Sequence, residues 1–383
     1  MTSSIDNGVH RKSSSMARFF IIHKVIMRHF LFDIIFTVIC FVIAAWWGYS
    51  HGGVSGMLMA LGITAILAIM EVSLSFDNAV VNASILKGWN DFWKKIFLTV
   101  GILIAVFGMR LVFPIVIVAV TANLGMMQVI DLALNDPTRY AEHLNAHHAE
   151  ISAFGGMFLL LVFLKFMFGD KDVHWFRWLE SRLVRFSKVD AMSVFVALVV
   201  LMISMTWVDE AKQGVVLTAG LWGILVYLGV SVLSALLEGE SDPDEVVYDA
   251  KGNVIVNTAG VSPTILKGGV AGFLYLEVLD ASFSFDGVIG AFAITNDVII
   301  IMIGLAIGAM FVRSMTIYLV DKGTLSEFVY LEHGAHYAIG ALAVIMLLST
   351  KFHVPEIITG LIGVAFIALS LYNSVQYNKR NAA

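Results

Sequence analysis

Two stretches of this chain carry acids and hydroxyls in the same order inside long apolar runs. The first reads Glu71-Val72-Ser73-Leu74-Ser75-Phe76-Asp77-Asn78. The second reads Glu277-Val278-Leu279-Asp280-Ala281-Ser282-Phe283-Ser284-Phe285-Asp286-Gly287. Setting Ser75-Phe76-Asp77 against Ser284-Phe285-Asp286 places Glu71 opposite Asp280. An ionised side chain at the centre of a lipid-embedded helix costs roughly 2.5–3.5 kcal/mol on insertion scales. A chain that places such acids there in both halves has a use for them. Glu71, Asp77, Glu277, Asp280 and Asp286, with the neutral oxygen donors Ser75, Asn78 and Ser284, form a hard or borderline ligand set. Such a set suits Mg2+, Ca2+ or Mn2+, and suits Zn2+ or Cu+ poorly.

Charge narrows the chemistry further. The five acids face two basic residues in the neighbouring apolar runs, Arg110 and Arg313. The excess negative charge is stable in a buried site only if a cation or protons join it. The blander alternative is that the acids pair with Arg110 and Arg313 and lock the two halves together. Those arginines themselves read as charge-pairing groups. On a helix turning about 100° per residue, Glu71, Ser75, Asn78 and Asn82 share one stripe and Asp77 lies off it. Asp280, Ser284 and Gly287 form the matching stripe, with Glu277 beside it and Asp286 off it. Both helices are therefore expected to unwind locally, near Ser75–Asn78 and Ser284–Gly287, or else Asp77 and Asp286 have other partners. Broken backbone at membrane depth is tolerated where it lines a cavity.

The elements that hold these residues follow from hydropathy. The 383 residues are 59% hydrophobic and 14% charged, against about 45–50% and about 25% in soluble domains. The excess lies in runs near the ~20 residues that cross a bilayer. About ten spans can be drawn, near 30–49, 56–86, 96–120, 151–168, 191–207, 214–237, 266–294, 298–320, 335–350 and 355–375. The fold class is an all-α polytopic membrane helix bundle with an inverted internal repeat. Its segments are a cytoplasmic N-terminal stretch (1–29), an extra leading span (30–55), a first membrane repeat (56–168), a middle section (169–265) and a second membrane repeat (266–383). The first span, Phe30 to Tyr49, reads as uncleaved because no small-residue cleavage site follows it. The middle section comprises an interfacial amphipathic helix at 173–188, two spans and an acidic loop at 238–264 with a small hairpin at 246–256.

Spacing supports the repeat. Gly101 precedes Arg110 by the nine positions that separate Gly304 from Arg313, and His148 precedes Gly155 by the seven that separate His333 from Gly340. Lys and Arg are concentrated at 11–28, 87–95, 169–190 and 379–380, which places those segments and both termini in the cytoplasm and 121–149 outside. The two motif spans then run in opposite directions, as in transporters whose site lies between inverted halves. Cys40 is the only cysteine, so there is no disulfide framework and no cysteine-based metal site. His143, His147 and His148 form a second group with metal-ligand spacing, more simply read as an exposed polar helix start. No nucleotide-binding loop, catalytic triad or zinc-protease motif is present, and no enzyme is expected.

The paired motifs resemble the signatures of the TerC family of integral membrane proteins. The resemblance runs through Gly101…Arg110 and Gly304…Arg313 and covers roughly 56–168 and 266–375; the middle section and leading span depart from it, as in a divergent, larger branch. It implies a multi-pass protein of the bacterial inner membrane linked to tellurium resistance and metal export, Mn2+ foremost, within the LysE-like transporter grouping. Its partners would be the lipid bilayer, the metal ion as substrate and further copies of itself in a homo-oligomer. It implies no nucleic acid and no covalently bound cofactor. Gly287 stands where the family often has a polar residue after the second motif aspartate. Two other functions fit the same acids: a scaffold in a metal-stress complex, and a proton-coupled solute exporter.

The topology makes a direct prediction. Single cysteines introduced within 121–149 and within 173–188 are expected to react with an impermeant thiol reagent from opposite sides of the membrane. Reaction of both from one side would overturn the inverted arrangement.

Overall fold

The computed structural model describes residues 3–121 except 102, 124–169, 171, 173–183, 191–238, 268–322, 328–352 and 354–381. Side chains are described from residue 30 onward, apart from a few helical positions that include Asp286. The described elements are all helical. In chain order they are α1 (Ser3–Leu74), α2 (Phe76–Leu86), α3 (Asp91–Ile96), two π-helical segments (Phe97–Gly101 and Ile104–Val112), α4 (Phe113–Thr121), α5 (Met126–Asn135), α6 (Pro137–Ala146) and α7 (His148–Phe168). These are followed by α8 (Arg177–Leu183), α9 (Met192–Ser204), α10 (Glu210–Glu238), α11 (Val270–Ile294), α12 (Val298–Lys322), α13 (Leu331–Ser349) and α14 (Glu356–Asn381).

Among the described residues, seven helical stretches are long and apolar enough to cross a membrane, and the protein is an integral membrane protein. The first of them, Phe30–Leu74, has 45 residues, about twice what one crossing needs. It folds in two at Gly52 and Gly53, where Gly53 adopts φ 60°, a backbone state that favours glycine. The limbs then lie against each other: a Cβ on Gly48 would meet Gly56 O at 2.5 Å and Ala60 Cβ at 2.6 Å. With this hairpin, the 25-residue α11 with its three acids, and the 13-residue α9, the helices match the ten expected stretches. Of the expected interfacial helix, α8 is formed, with Trp178 exposed and Glu180 buried. Residues 184–190 and the hairpin at 246–256 lie outside the described residues.

The two halves interlock reciprocally. The second limb of α1 packs along α12, while α11 packs on the second π-helical segment. Each motif helix therefore lies on the arginine-bearing helix of the other half. In the same way α2 packs on α13, α11 on α7, and α7 on α13. The last pair reveals the sense of the symmetry. Gly155 faces Met346, Gly156 faces Ala343 and Leu347, and Gly340 faces Phe163, so the contacts descend one helix as they ascend the other. Equivalent helices that pack antiparallel are related by an axis perpendicular to them. For membrane-crossing helices that axis lies in the membrane plane, the relation of an inverted repeat.

The motif helices differ from expectation in one respect. The first is distorted at Ser75 (φ −103°, ψ 13°), but only slightly, since Ser75 N still donates to Glu71 O (3.0 Å) and Ala79 N to Ser75 O (3.1 Å). The second, α11, runs unbroken through Ser284–Gly287. Asp77 is accommodated without unwinding because it has surroundings of its own, described below. The leading limb is tied to the second repeat through Asp297, which accepts from Trp47 Nε1 (2.8 Å) and caps α12 by accepting from Ile299 N (3.0 Å) and Ile300 N (3.2 Å).

Close glycine contacts let these helices approach. A Cβ on Gly304 would sit 2.6 Å from Leu67 Cβ, whereas nothing lies within 4 Å of one on Gly62. Gly304→Val is therefore expected to lower thermal stability in detergent by about 1–3 kcal/mol. Gly62→Ala on the same limb of α1 should leave it unchanged or slightly raised.

Candidate functional site

The reciprocal packing brings the first-copy stripe and the second-copy acids to one place. Glu71, 1% exposed, forms a direct ion pair with Arg110, 6% exposed. Ser75 Oγ donates to Glu71 Oε1 at 3.1 Å. Arg110 Nη1 donates to Ala105 O at 2.5 Å, five residues back within the π-helical turn. Such widened turns are frequent at functional sites. Glu71 is closed in by glycine: a Cβ on Gly287 would sit 2.7 Å from Glu71 Oε2, and one on Gly308 would overlap the Glu71 side chain. This explains Gly287 after the second motif aspartate. A side chain there would displace a carboxylate already held by Arg110.

Opposite this pair, Asn78 Nδ2 donates to Asp280 Oδ1, a direct bond between the two motif copies. Glu277 is buried, and its Oε1 lies where a Cβ on Gly101 would fall, 2.6 Å away. Arg313 Nη2 donates to Phe97 O at 2.6 Å, and its guanidinium lies 5.5 Å from the centre of the Phe97 ring. Glu277 and Asp280 are within electrostatic reach of Arg313. These groups enclose a cavity of about 40 Å3 lined by Ser75, Asn82, Arg110, Glu277, Asp280 and Arg313 among others. At about 10–15 Å3 per water, that is room for roughly three waters, or for one ion with part of its hydration.

Polar bookkeeping identifies the unsatisfied groups. Asn78 Oδ1, Asn82 Oδ1 and Glu277 Oε1 are buried acceptors with no hydrogen-bond partner, and Arg110 Nε is a buried donor without one. An unpaired buried polar atom costs about 1–3 kcal/mol. Two of these lone acceptors, on Asn82 and Glu277, line the cavity, and the third is on Asn78, which bonds the lining residue Asp280; such oxygens are the complement of water or of a hard cation. Among the described residues, no three His, Cys, Asp or Glu side chains converge as a metal-ligating group. An ion held here would draw on amide oxygens and water beside one or two carboxylates, as Mg2+ commonly does.

The expected ligand set is thus divided. Glu71, Ser75, Asn78, Glu277 and Asp280 gather at this site. Asp77 does not join them: it lines a separate cavity of about 20 Å3 with Leu74, Phe283, Leu342, Thr359 and Gly363. Ser284 is buried on α11 and is not among the residues lining the larger cavity. Asp286 falls on α11, but its side chain lies outside the described residues. Asn82, the last residue of the first stripe, contributes an open acceptor. One buried acid escaped sequence reading altogether, Asp33 on the leading limb of α1. Its signal was available, since it is the only charged residue between 30 and 50.

The histidines have local roles. His147 Nδ1 lies 3.6 Å from Glu150, and His148 Nε2 lies 3.3 Å from Ser152 Oγ. His333 Nε2 approaches Val173 O (2.9 Å) and Glu180 (3.6 Å), and the His336 ring stacks on Phe166 at 3.8 Å. Lys171 sits at this end of the bundle with Nζ 3.7 Å from the centre of the Phe166 ring. Burial pulls its ammonium down to about 8, partly offset by Glu180 and Glu332.

Neither a curated protein nor a solved structure matches this chain. A family profile does, over residues 76–381, which begins at the first residue of α2 and leaves α1 outside. The chain belongs to the family described as protein of unknown function DUF475.

Proposed function

We propose that this protein is a membrane transporter that exports a divalent cation, Mn2+ first, with Ca2+ or Mg2+ as alternatives. One observation carries the reading: the lone acceptor oxygens of Asn82 and Glu277 line a small cavity where two antiparallel halves cross, and a third, on Asn78, lies beside the lining residue Asp280. Glu71 is committed to Arg110 and acts as a wall of the site. Glu277 and Asp280 supply its charge, with Asn78 and Asn82 as neutral donors. The resemblance of the paired motifs to TerC proteins adds the direction, export, and the bacterial inner membrane as the location. The crossing of inverted halves supplies the means, since rocking of one half against the other opens such a site to each side in turn.

A second reading, a proton-coupled solute exporter, rests on a different observation. No three metal-ligating side chains converge among the described residues, so the same acids would carry protons instead.

Reconstitution in proteoliposomes separates these readings. Wild-type protein is expected to pass Mn2+, and Glu277→Gln and Asp280→Asn, each nearly isosteric, are expected to insert normally yet lose flux by about ten-fold or more, the effect of roughly 1.4 kcal/mol. Wild-type flux of protons without any divalent cation would favour the second reading. Wild-type flux of neither would point to a scaffold. Variants that insert and still transport at the wild-type rate would remove Glu277 and Asp280 from the site.

A further inference from the structure

We propose that Asp33, on the leading limb of α1, is the counter-charge of Arg313 and holds that arginine off the carboxylates of the cation site. The proposal rests on the cation site above for its functional consequence and, for the pairing, on the packing of the leading limb against α12 together with the electrostatic coupling of the two groups.

The packing is specific. Around Asp33, the side chains of Phe32, Ile34, Ile35 and Val38 are exposed on the lipid-facing side, while Asp33 is fully buried. Its face of the limb continues through Cys40 and Ala44, which are also buried. That face lies on α12. Phe30 stacks on Phe311 (6.1 Å between ring centres) and reaches Tyr318 (6.5 Å), and Cys40 clusters with Ile307. Asp33, between Phe30 and Cys40, thus meets α12 between Ile307 and Tyr318, and the polar groups within its electrostatic reach there are Arg313 and Ser314. Neither carboxylate oxygen of Asp33 makes a hydrogen bond of good geometry, and the Ser314 hydroxyl is placed to donate one.

Arg313 therefore answers to two sets of acids: Glu277 and Asp280, which line the cavity with it, and, more weakly in this arrangement, Asp33 on the leading limb of α1. A guanidinium has five N–H donors, and Phe97 O takes one. The remaining donors suit a two-pronged bond to one carboxylate. Turned to Asp33, Arg313 leaves Glu277 and Asp280 free to hold a cation. Turned to Glu277, whose Oε1 is also unpartnered, it becomes an internal cation that competes with the transported one. Asp33 sets which position is favoured, so it tunes the affinity of a site it does not touch. It lies on α1, outside the 76–381 match to the family, so the tuning is carried by the leading hairpin.

The test is a double-mutant cycle on full-length protein in detergent, with Mn2+ affinity read by calorimetry and stability by thermal unfolding. Asp33→Asn is expected to weaken Mn2+ binding by ten-fold or more. Arg313→Gln is expected to bind at least as tightly as wild type, and Asp33→Asn is expected to add nothing in the Arg313→Gln background. Asp33→Glu, which keeps the charge, should retain wild-type affinity. Unchanged affinity in Asp33→Asn, or equal weakening in both backgrounds, would overturn the proposal. If wild type binds no Mn2+, Ca2+ or Mg2+, the transport reading fails, and the stability cycle decides the pairing alone. Non-additive losses then uphold it and additive losses overturn it. If Asp33→Asn does not fold, recovery of folding in Asp33→Asn/Arg313→Gln upholds the pairing, and failure of that double variant overturns it.

Discussion

A carboxylate inside a bilayer needs a partner within the protein, and the Glu71–Arg110 pair is where this fold meets that demand most completely. Both side chains are almost wholly buried and in direct contact, with Ser75 and Ala105 O taking up further bonding capacity. Removing a single member of such a pair leaves an uncompensated charge, so the surroundings are shaped to keep it intact. Gly287 and Gly308 come from the other half of the chain, and each gives up a side chain so that Glu71 can remain in place. The first repeat supplies the pair, and the second supplies the space.

That exchange recurs throughout the bundle. Gly101 of the first repeat leaves room for Glu277 of the second, and Gly304 of the second leaves room for Leu67 of the first. Small residues permit close backbone approach where lipid offers no hydrophobic drive for helix association. The outcome is a seam along which the halves meet through polar groups and glycines at the site, and through larger side chains such as Met346 and Phe163 farther along. A seam of this kind places the cavity where the two halves meet.

Arg110 and Arg313 occupy equivalent sequence positions and different environments. Arg110 is paired with Glu71 and bonded to Ala105 O, whereas Arg313 bonds Phe97 O and lies among several acids. One difference between them is the leading limb of α1, which packs on α12 and brings Asp33 within electrostatic reach of Arg313. A helix added outside the repeats thus makes two related arginines unlike.

The class of the fold was legible in the sequence because the bilayer imposes it: apolar runs of spanning length must be helical to satisfy their own backbone. The repeat was legible too, since the acids, glycines and arginines recur in register. The sequence grouped Glu71, Asp77, Glu277, Asp280 and Asp286 with Ser75, Asn78 and Ser284, and within the first copy the shared stripe of Glu71, Ser75, Asn78 and Asn82 follows from spacing alone. Three features needed the tertiary structure. Asp77 shares its copy with Glu71 yet faces Leu342 and Gly363, because a helix presents its sides to different neighbours and spacing does not say which. Gly287 read as a missing ligand until the Glu71 carboxylate was found filling its place. Asp33 went unread among the apolar residues of its span, and its meaning depends on Arg313, 280 positions away in the chain. Sequence periodicity records which residues share a face, and only packing decides what that face meets.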